Sequence, residues 1–164
     1  MSEFTHIDAK GNARMVDVTE KNVTTRTAVA TGRIQMSRFC YEAVKAGTMK
    51  KGDVLGVAQI GGIMGAKKTS DIIPLCHILN LTKCGVEFTL HDDTCEIEAT
   101  CTVRCDGKTG VEMEALTGVS VALLTVYDMC KAIDRAMVIK EIHVVEKMGG
   151  KSGHFVYSQE TDHA

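Results

Sequence analysis

The chain has no tryptophan and only 4% aromatic residues, so a ring platform on which single-stranded nucleic acid stacks has few candidates. It also lacks an excess of either charge. Nineteen Lys and Arg against 21 Asp and Glu leave a net −2, so no global basic field recruits nucleic acid or an anionic membrane. Pro74 is the one proline, and no Pro-, Gly- or Ser-rich linker separates two halves. One domain over residues 1–164 is expected, with an N-terminal arm over 1–20 and a mobile tail over 154–164. No apolar run is read as reaching the ~20 residues of a membrane span. Residues 1–6 show no basic stretch leading into an apolar one, so no signal peptide is expected. The default is a cytosolic globular protein.

Cysteine is not scarce. Seven occur, at 40, 76, 84, 95, 101, 105 and 130. An odd number without paired spacing points to free thiols in a reducing compartment, not to a disulfide framework or a zinc knuckle. Cys101 and Cys105 are the nearest approach to a metal pair, but they belong to an alternating segment. Cys95, Ile97, Ala99, Cys101, Val103 and Cys105 point one way, and Glu96, Glu98, Thr100, Thr102 and Arg104 the other. That period of two is a half-buried strand in which Cys acts as a small hydrophobe. No metal site is expected.

Residues 23–36, rich in Val and Thr, read as a strand. Ser37 suits the cap of a helix over 38–46, and Gly47 its left-handed stop. Asp53 suits the cap of a second helix running to Lys68. Gly56, Gly61, Gly62 and Gly65 interrupt it, each costing about 1 kcal/mol against Ala. Such a helix must be held by close packing. Residues 81–90 and 95–105 form a hairpin, 111–135 a long helix and 138–145 a last strand. The order strand, helix, helix, strand, strand, helix, strand fits an α+β ferredoxin-like sandwich, an antiparallel sheet with helices on one face.

Projected as a helix, 111–135 places Leu116, Val119, Leu123, Val126 and Cys130 on one side as a core face. The other side carries Glu114, Gly118, Val121, Thr125 and Asp128, with Lys131 close by. Carboxylates on a stripe of small or apolar residues suggest a second burial surface, either a subunit interface or a pocket wall. Asp128 and Lys131 stand at i, i+3, an ordinary salt-bridge spacing. On a dry stripe they become a candidate proton-transfer pair. Elsewhere, Pro74 fixes the backbone before Cys76 and His77. Gly149-Gly150-Lys151-Ser152-Gly153 has the backbone amides and the lysine of an anion cradle. It is not a P-loop, because position 145 is Val where the first glycine of that motif would stand. The residues alone leave two classes open: a lyase or transferase acting on a phosphorylated small molecule, or a non-catalytic ferredoxin-like module that senses one.

Seven segments sharpen this reading: Met15-Val16-Asp17-Val18, Lys51-Gly52-Asp53-Val54, Ala66-Lys67-Lys68-Thr69-Ser70-Asp71, Ile73-Pro74-Leu75-Cys76-His77, the run from Lys108 to Thr117, Tyr127-Asp128-Met129-Cys130-Lys131 and Gly149-Gly150-Lys151-Ser152-Gly153. In their order and spacing the chain resembles the molybdenum cofactor biosynthesis protein C family. It departs from that family's usual pattern at Gly61 and Gly65, where Ala is usual, and at Ile78, where Pro is usual. The resemblance implies a lyase that converts 3′,8-cyclo-7,8-dihydroguanosine triphosphate into cyclic pyranopterin monophosphate with loss of pyrophosphate. It implies a homohexamer, a trimer of dimers with active sites at subunit interfaces. The substrate would come from a radical enzyme acting on GTP. Carried onto these positions, Lys51, Asp128 and Lys131 become the catalytic group. Leu75, Cys76, His77, Glu112, Met113 and Glu114 line the substrate, and Arg26, Lys67, Lys147 and Lys151 meet the triphosphate. No cofactor is required, although a divalent cation could accompany the triphosphate. No nucleic-acid or membrane partner is expected.

Overall fold

The computed structural model describes residues 7–158 apart from Ala9 and Ser152. Residues 1–6 of the expected arm and 159–164 of the expected tail lie outside the described residues, as does the serine of the Gly149–Gly153 segment. Alternation builds the sheet. Strand β1 (Thr24–Gln35) buries Ala28, Ala30 and Ile34 completely, and β3 (Glu96–Gly107) does the same with Ile97, Ala99, Cys101, Val103 and Cys105. With β2 (Leu81–His91), β4 (Val138–Met148) and β5 (His154–Val156) they form an antiparallel sheet in the order β2-β3-β1-β4-β5. The α+β ferredoxin-like sandwich is therefore observed.

Three helices match the expected positions. Helix α1 (Arg38–Lys45) starts at Ser37, whose hydroxyl accepts from the Cys40 N–H, and Gly47 follows it at φ +67°. Helix α2 (Val54–Lys67) is capped by the Asp53 carboxylate, which accepts from the Gly56 N–H at 2.9 Å. A one-turn helix α3 (Thr69–Ile72), not foreseen, leads into the loop holding Pro74. Helix α4 (Glu112–Cys130) stops five residues before the expected end. The physical reason is Asp134, whose carboxylate accepts from the backbone N–H of Ser37 at 2.7 Å and of Ala136 at 2.9 Å. It ties the chain into a turn where a helix would have continued. Strand β4 runs three residues further than expected. Residues 154–156, the start of the expected tail, pair with it as β5.

Helices α2 and α4 lie antiparallel on one sheet face and against each other. A Cβ on Gly62 would come 2.9 Å from the Gly118 carbonyl oxygen, and one on Gly118 would come 2.5 Å from the Cys101 sulfur. Gly61 faces the Thr125 hydroxyl and Gly65 the Val121 side chain. The stripe holding Gly118, Val121 and Thr125 is thus filled by α2 of the same chain. The expectation is of a subunit interface or a pocket wall; the burial at these positions is instead intramolecular, and the close packing inferred for the glycine-rich helix is present. Leu116, assigned to the core face, is only half-buried.

Helix α4 is also long and apolar enough to span a membrane by length and composition, contrary to the sequence reading. Its fully buried Val119, Ala122, Leu123 and Val126 make it the core helix of the domain. Val119, Leu123 and Val126 each contribute about 1.5–3 kcal/mol by leaving water. One apolar face stays open. Val57, Ile60 and Met64 of α2 and Leu124 of α4 are each about half exposed.

Candidate active site

The residues singled out in the sequence gather at the two ends of α4. At its C-terminal end, Lys131 Nζ donates to Asp128 Oδ1 at 2.6 Å, the i, i+3 contact the spacing required. Lys51, in the turn before α2, reaches the same place because α2 runs antiparallel to α4. Its Nζ donates to the Asp128 carbonyl at 2.9 Å and lies 3.5 Å from Oδ2. All three proposed catalytic groups therefore meet. They are not dry in the single chain, however. The side chains of Lys51, Asp128 and Lys131 are 46%, 60% and 52% exposed, which corrects the expectation of a water-excluded pair. Asp128 is held below the usual carboxylate range, first by the hydrogen bond from Lys131, then by the charges of Lys131 and Lys51.

At the N-terminal end a cavity of about 860 Å³ opens between β1, the start of α4 and the loop after β4. Arg26, Glu112, Lys147 and Lys151 line it, four of the residues expected to hold substrate. Lys147 Nζ donates to Glu112 Oε1 at 2.7 Å. The Arg26 guanidinium sits against Gly150, at φ +77°, where a Cβ would collide with it. The glycine pair in this loop thus has a seating role: Gly150 makes room for an arginine. The same cavity is lined by Lys21 and Lys108, to which the sequence reading gave no role, although Lys108 opens one of the seven segments. Lys108 Nζ donates to the Thr19 carbonyl at 2.7 Å, tying the N-terminal segment to the site. Five cationic side chains would have been the signal, but only the fold brings residues 21, 26, 108, 147 and 151 together.

Lys67 does not line this cavity. It ends α2 on the same side of the domain, exposed to solvent. The 75–77 loop lies nearby, with Leu75, Cys76 and His77 half-buried. His77 Nε2 stands 2.7 Å from the Val16 carbonyl. A carbonyl only accepts, so Nε2 donates here and Nδ1 is the ring atom left to face a ligand. Met113 is exposed, while Glu114 is 5% exposed. Burial pushes the Glu114 carboxyl up from the usual range. Burial also raises the Cys76 thiol, with the Glu114 charge adding to it.

The two ends are far apart. Sixteen residues separate Glu112 from Asp128, and a rise of 1.5 Å per residue makes that about 24 Å. Arg26 and Lys147 thus stand at the opposite end of α4 from the Lys51–Asp128–Lys131 cluster. Among the described residues no group of three or more His, Cys, Asp or Glu is arranged to hold a metal ion.

Comparison with known proteins gives a consistent picture. The MoaC family profile matches residues 15–150. A cyclic pyranopterin monophosphate synthase of Clostridium botulinum is 57% identical over 155 residues, 94% of this chain and 98% of its own. That of Clostridium acetobutylicum is 58% identical over 156 residues, covering 94% and 97%. The Heliobacterium modesticaldum protein of the same name is 56% identical over 156 residues, covering 95% and 98%.

Proposed function

The chain belongs to the MoaC family, and we propose on that premise that it carries out the reaction for which its relatives are named. It is a lyase of molybdenum cofactor biosynthesis. It converts 3′,8-cyclo-7,8-dihydroguanosine triphosphate into cyclic pyranopterin monophosphate and pyrophosphate. The observation that carries this reading is Asp128 held between Lys131 at 2.6 Å and Lys51 at 3.5 Å, with a cation-lined cavity at the opposite end of the same helix.

The chemistry asks for both. Rearranging a purine-derived ring into a pterin moves protons on and off nitrogen, which positioned acids and bases accelerate. An ionised Asp128 keeps one ammonium beside it as a proton source and orients the second. Closing a cyclic phosphate expels pyrophosphate, whose growing charge needs cations already in place. Arg26, Lys147 and Lys151 serve there, joined by Lys21 and Lys108, with Lys67 approaching from α2. Glu112 holds Lys147 in position until phosphate oxygens compete for it. No resident cofactor enters this reading, and a divalent ion would arrive with the triphosphate as part of the substrate.

The 24 Å gap supports a site shared between copies. A two-fold axis through the open apolar face at Val57, Ile60, Met64 and Leu124 would cover that face. Because it reverses the helix direction, it would also bring Asp128 of one copy toward the cavity end of the other. We therefore read the protein as a homo-oligomer, a trimer of dimers, working in the cytosol beside the radical enzyme that makes its substrate from GTP. Incubating the purified protein with the cyclised triphosphate should release pyrophosphate together with the cyclic pterin phosphate. Tight binding without either product would leave a sensing module instead.

A further inference from the structure

One carboxyl at the substrate-binding end is unlike the rest. Glu114 stands in the first turn of α4, 5% exposed, and makes no ion pair among the described residues. The groups around it are few. Cys76 of the 75–77 loop and the buried Cys105 of β3 lie on its flanks. Glu112 precedes it by two residues on its own helix and is paired with Lys147 of β4. Arg26 of β1 acts on Cys105, not on Glu114. No cation is therefore aimed at it. Its own residue's backbone N–H works in favour of the anion, and burial outweighs that. Asp128, flanked by two ammoniums, is the opposite case. Two carboxyls whose surroundings drive them apart mark an acid and a base.

We propose that Glu114 is the proton donor for the ring-opening step, a role beyond lining the substrate and one that rests on the reaction assigned above. In the dihydro substrate one carbon lies between two ring nitrogens. As one of its C–N bonds breaks, the electron pair goes to the departing nitrogen, which takes the Glu114 proton. The lone pair of the second nitrogen holds the carbon as an iminium. The carboxylate left behind is reprotonated when a later ring closure releases a proton from nitrogen. Atoms and electrons balance without a further reagent. At 5% exposure Glu114 is shielded from bulk water, so the proton passes to the substrate and not to solvent.

The experiment compares wild type with Glu114→Gln, which keeps shape and hydrogen bonding but cannot donate an acid proton. The variant should lose about 10²–10⁴-fold in kcat, with KM almost unchanged and the alkaline limb of the kcat profile gone. Turnover within about threefold of wild type, or an unchanged pH profile, would overturn the role. A second measurement does not depend on that variant folding. In protein labelled at glutamate side-chain carboxyls, the resonance that Glu114→Asp deletes should titrate above the other glutamates. Titration with the others overturns the proposal. Failure of wild type to release pyrophosphate would instead refute the functional reading, which the carboxyl titration does not test.

Discussion

The two ends of α4 hold charge in opposite ways. At the C-terminal end three charged side chains meet in the open, at exposures of 46–60%. At the N-terminal end a cavity of about 860 Å³ collects five cationic side chains and the carboxylates of Asp17, Glu20 and Glu112, the last paired with Lys147, and the carboxyl of Glu114 is buried two residues along the helix. Exposed ion pairs contribute only about 0–1 kcal/mol to stability. The Lys51–Asp128–Lys131 cluster therefore gains the fold little, and its geometry is better explained by chemistry completed from outside the single chain. The cavity end carries the residues proposed to hold substrate and lacks the proposed catalytic cluster. On the proposed function, neither end is a site alone.

The largest expected effect breaks the C-terminal end. Asp128→Ala and Lys131→Ala should each lower single-turnover product formation by about 10²–10⁴-fold, with substrate affinity retained. The double change should cost far less than the product of the singles, because the groups act as a unit. Variants within about threefold of the parent would make this an ordinary helix salt bridge, worth about 0.2–0.5 kcal/mol.

Joining the ends gives the next largest effect. Asp128→Ala and Lys147→Ala proteins, each inactive, should recover activity when unfolded together and refolded as a mixture. If sites are shared across a two-fold, about a quarter of them contain both native residues. No recovery, with mixed oligomers present by mass, would place both residues in one chain's site.

The helix pair that sets the distance between the ends comes third. Gly62→Ala drives a methyl toward the Gly118 carbonyl, 2.9 Å away, which is backbone and cannot rotate aside. It should destabilise by about 1–3 kcal/mol despite the better helix propensity of Ala. Gly61→Ala meets only the Thr125 hydroxyl region and should cost less. Thermal melts of the two variants rank them, and equal melting temperatures would show that α2 shifts freely on α4.

These contacts show what was legible in the sequence. Period two made β3 readable residue by residue, since the six positions assigned inward, from Cys95 to Cys105, are all buried. The cap at Asp53 and the i, i+3 pair at 128 and 131 are local, so spacing sufficed. Strand β5 was not legible, because three exposed residues after a glycine turn carry no alternation. The glycines of α2 and the small residues of α4 were each noticed, yet their match to one another is a tertiary fact that neither helix states alone. Lys21 and Lys108 failed to stand out for the same reason. A lysine on a loop is ordinary until a sheet brings residues from positions 21 to 151 around one cavity.

The smallest effect is a pair of opposite slopes in stability against pH. Asp128 is lowered in the folded protein, first by the Lys131 hydrogen bond. The unfolded chain binds its proton more readily, so its contribution is full above the ordinary aspartate range. It is lost as pH falls through the lowered folded value. Glu114 is raised by burial, so the folded state holds that proton longer. Its contribution is full below the ordinary glutamate range and declines as pH rises toward the raised folded value, levelling above it. Denaturant titrations across acidic to neutral pH should therefore show Asp128→Asn removing stability on the alkaline side of its transition. Glu114→Gln should flatten a decline that wild type shows on going from acid toward neutrality. Asp128 is exposed, so its slope should shrink in high salt, whereas that of buried Glu114 should persist. If both slopes fade equally with salt, Glu114 is hydrated in solution and the contrast between the two ends of α4 is lost.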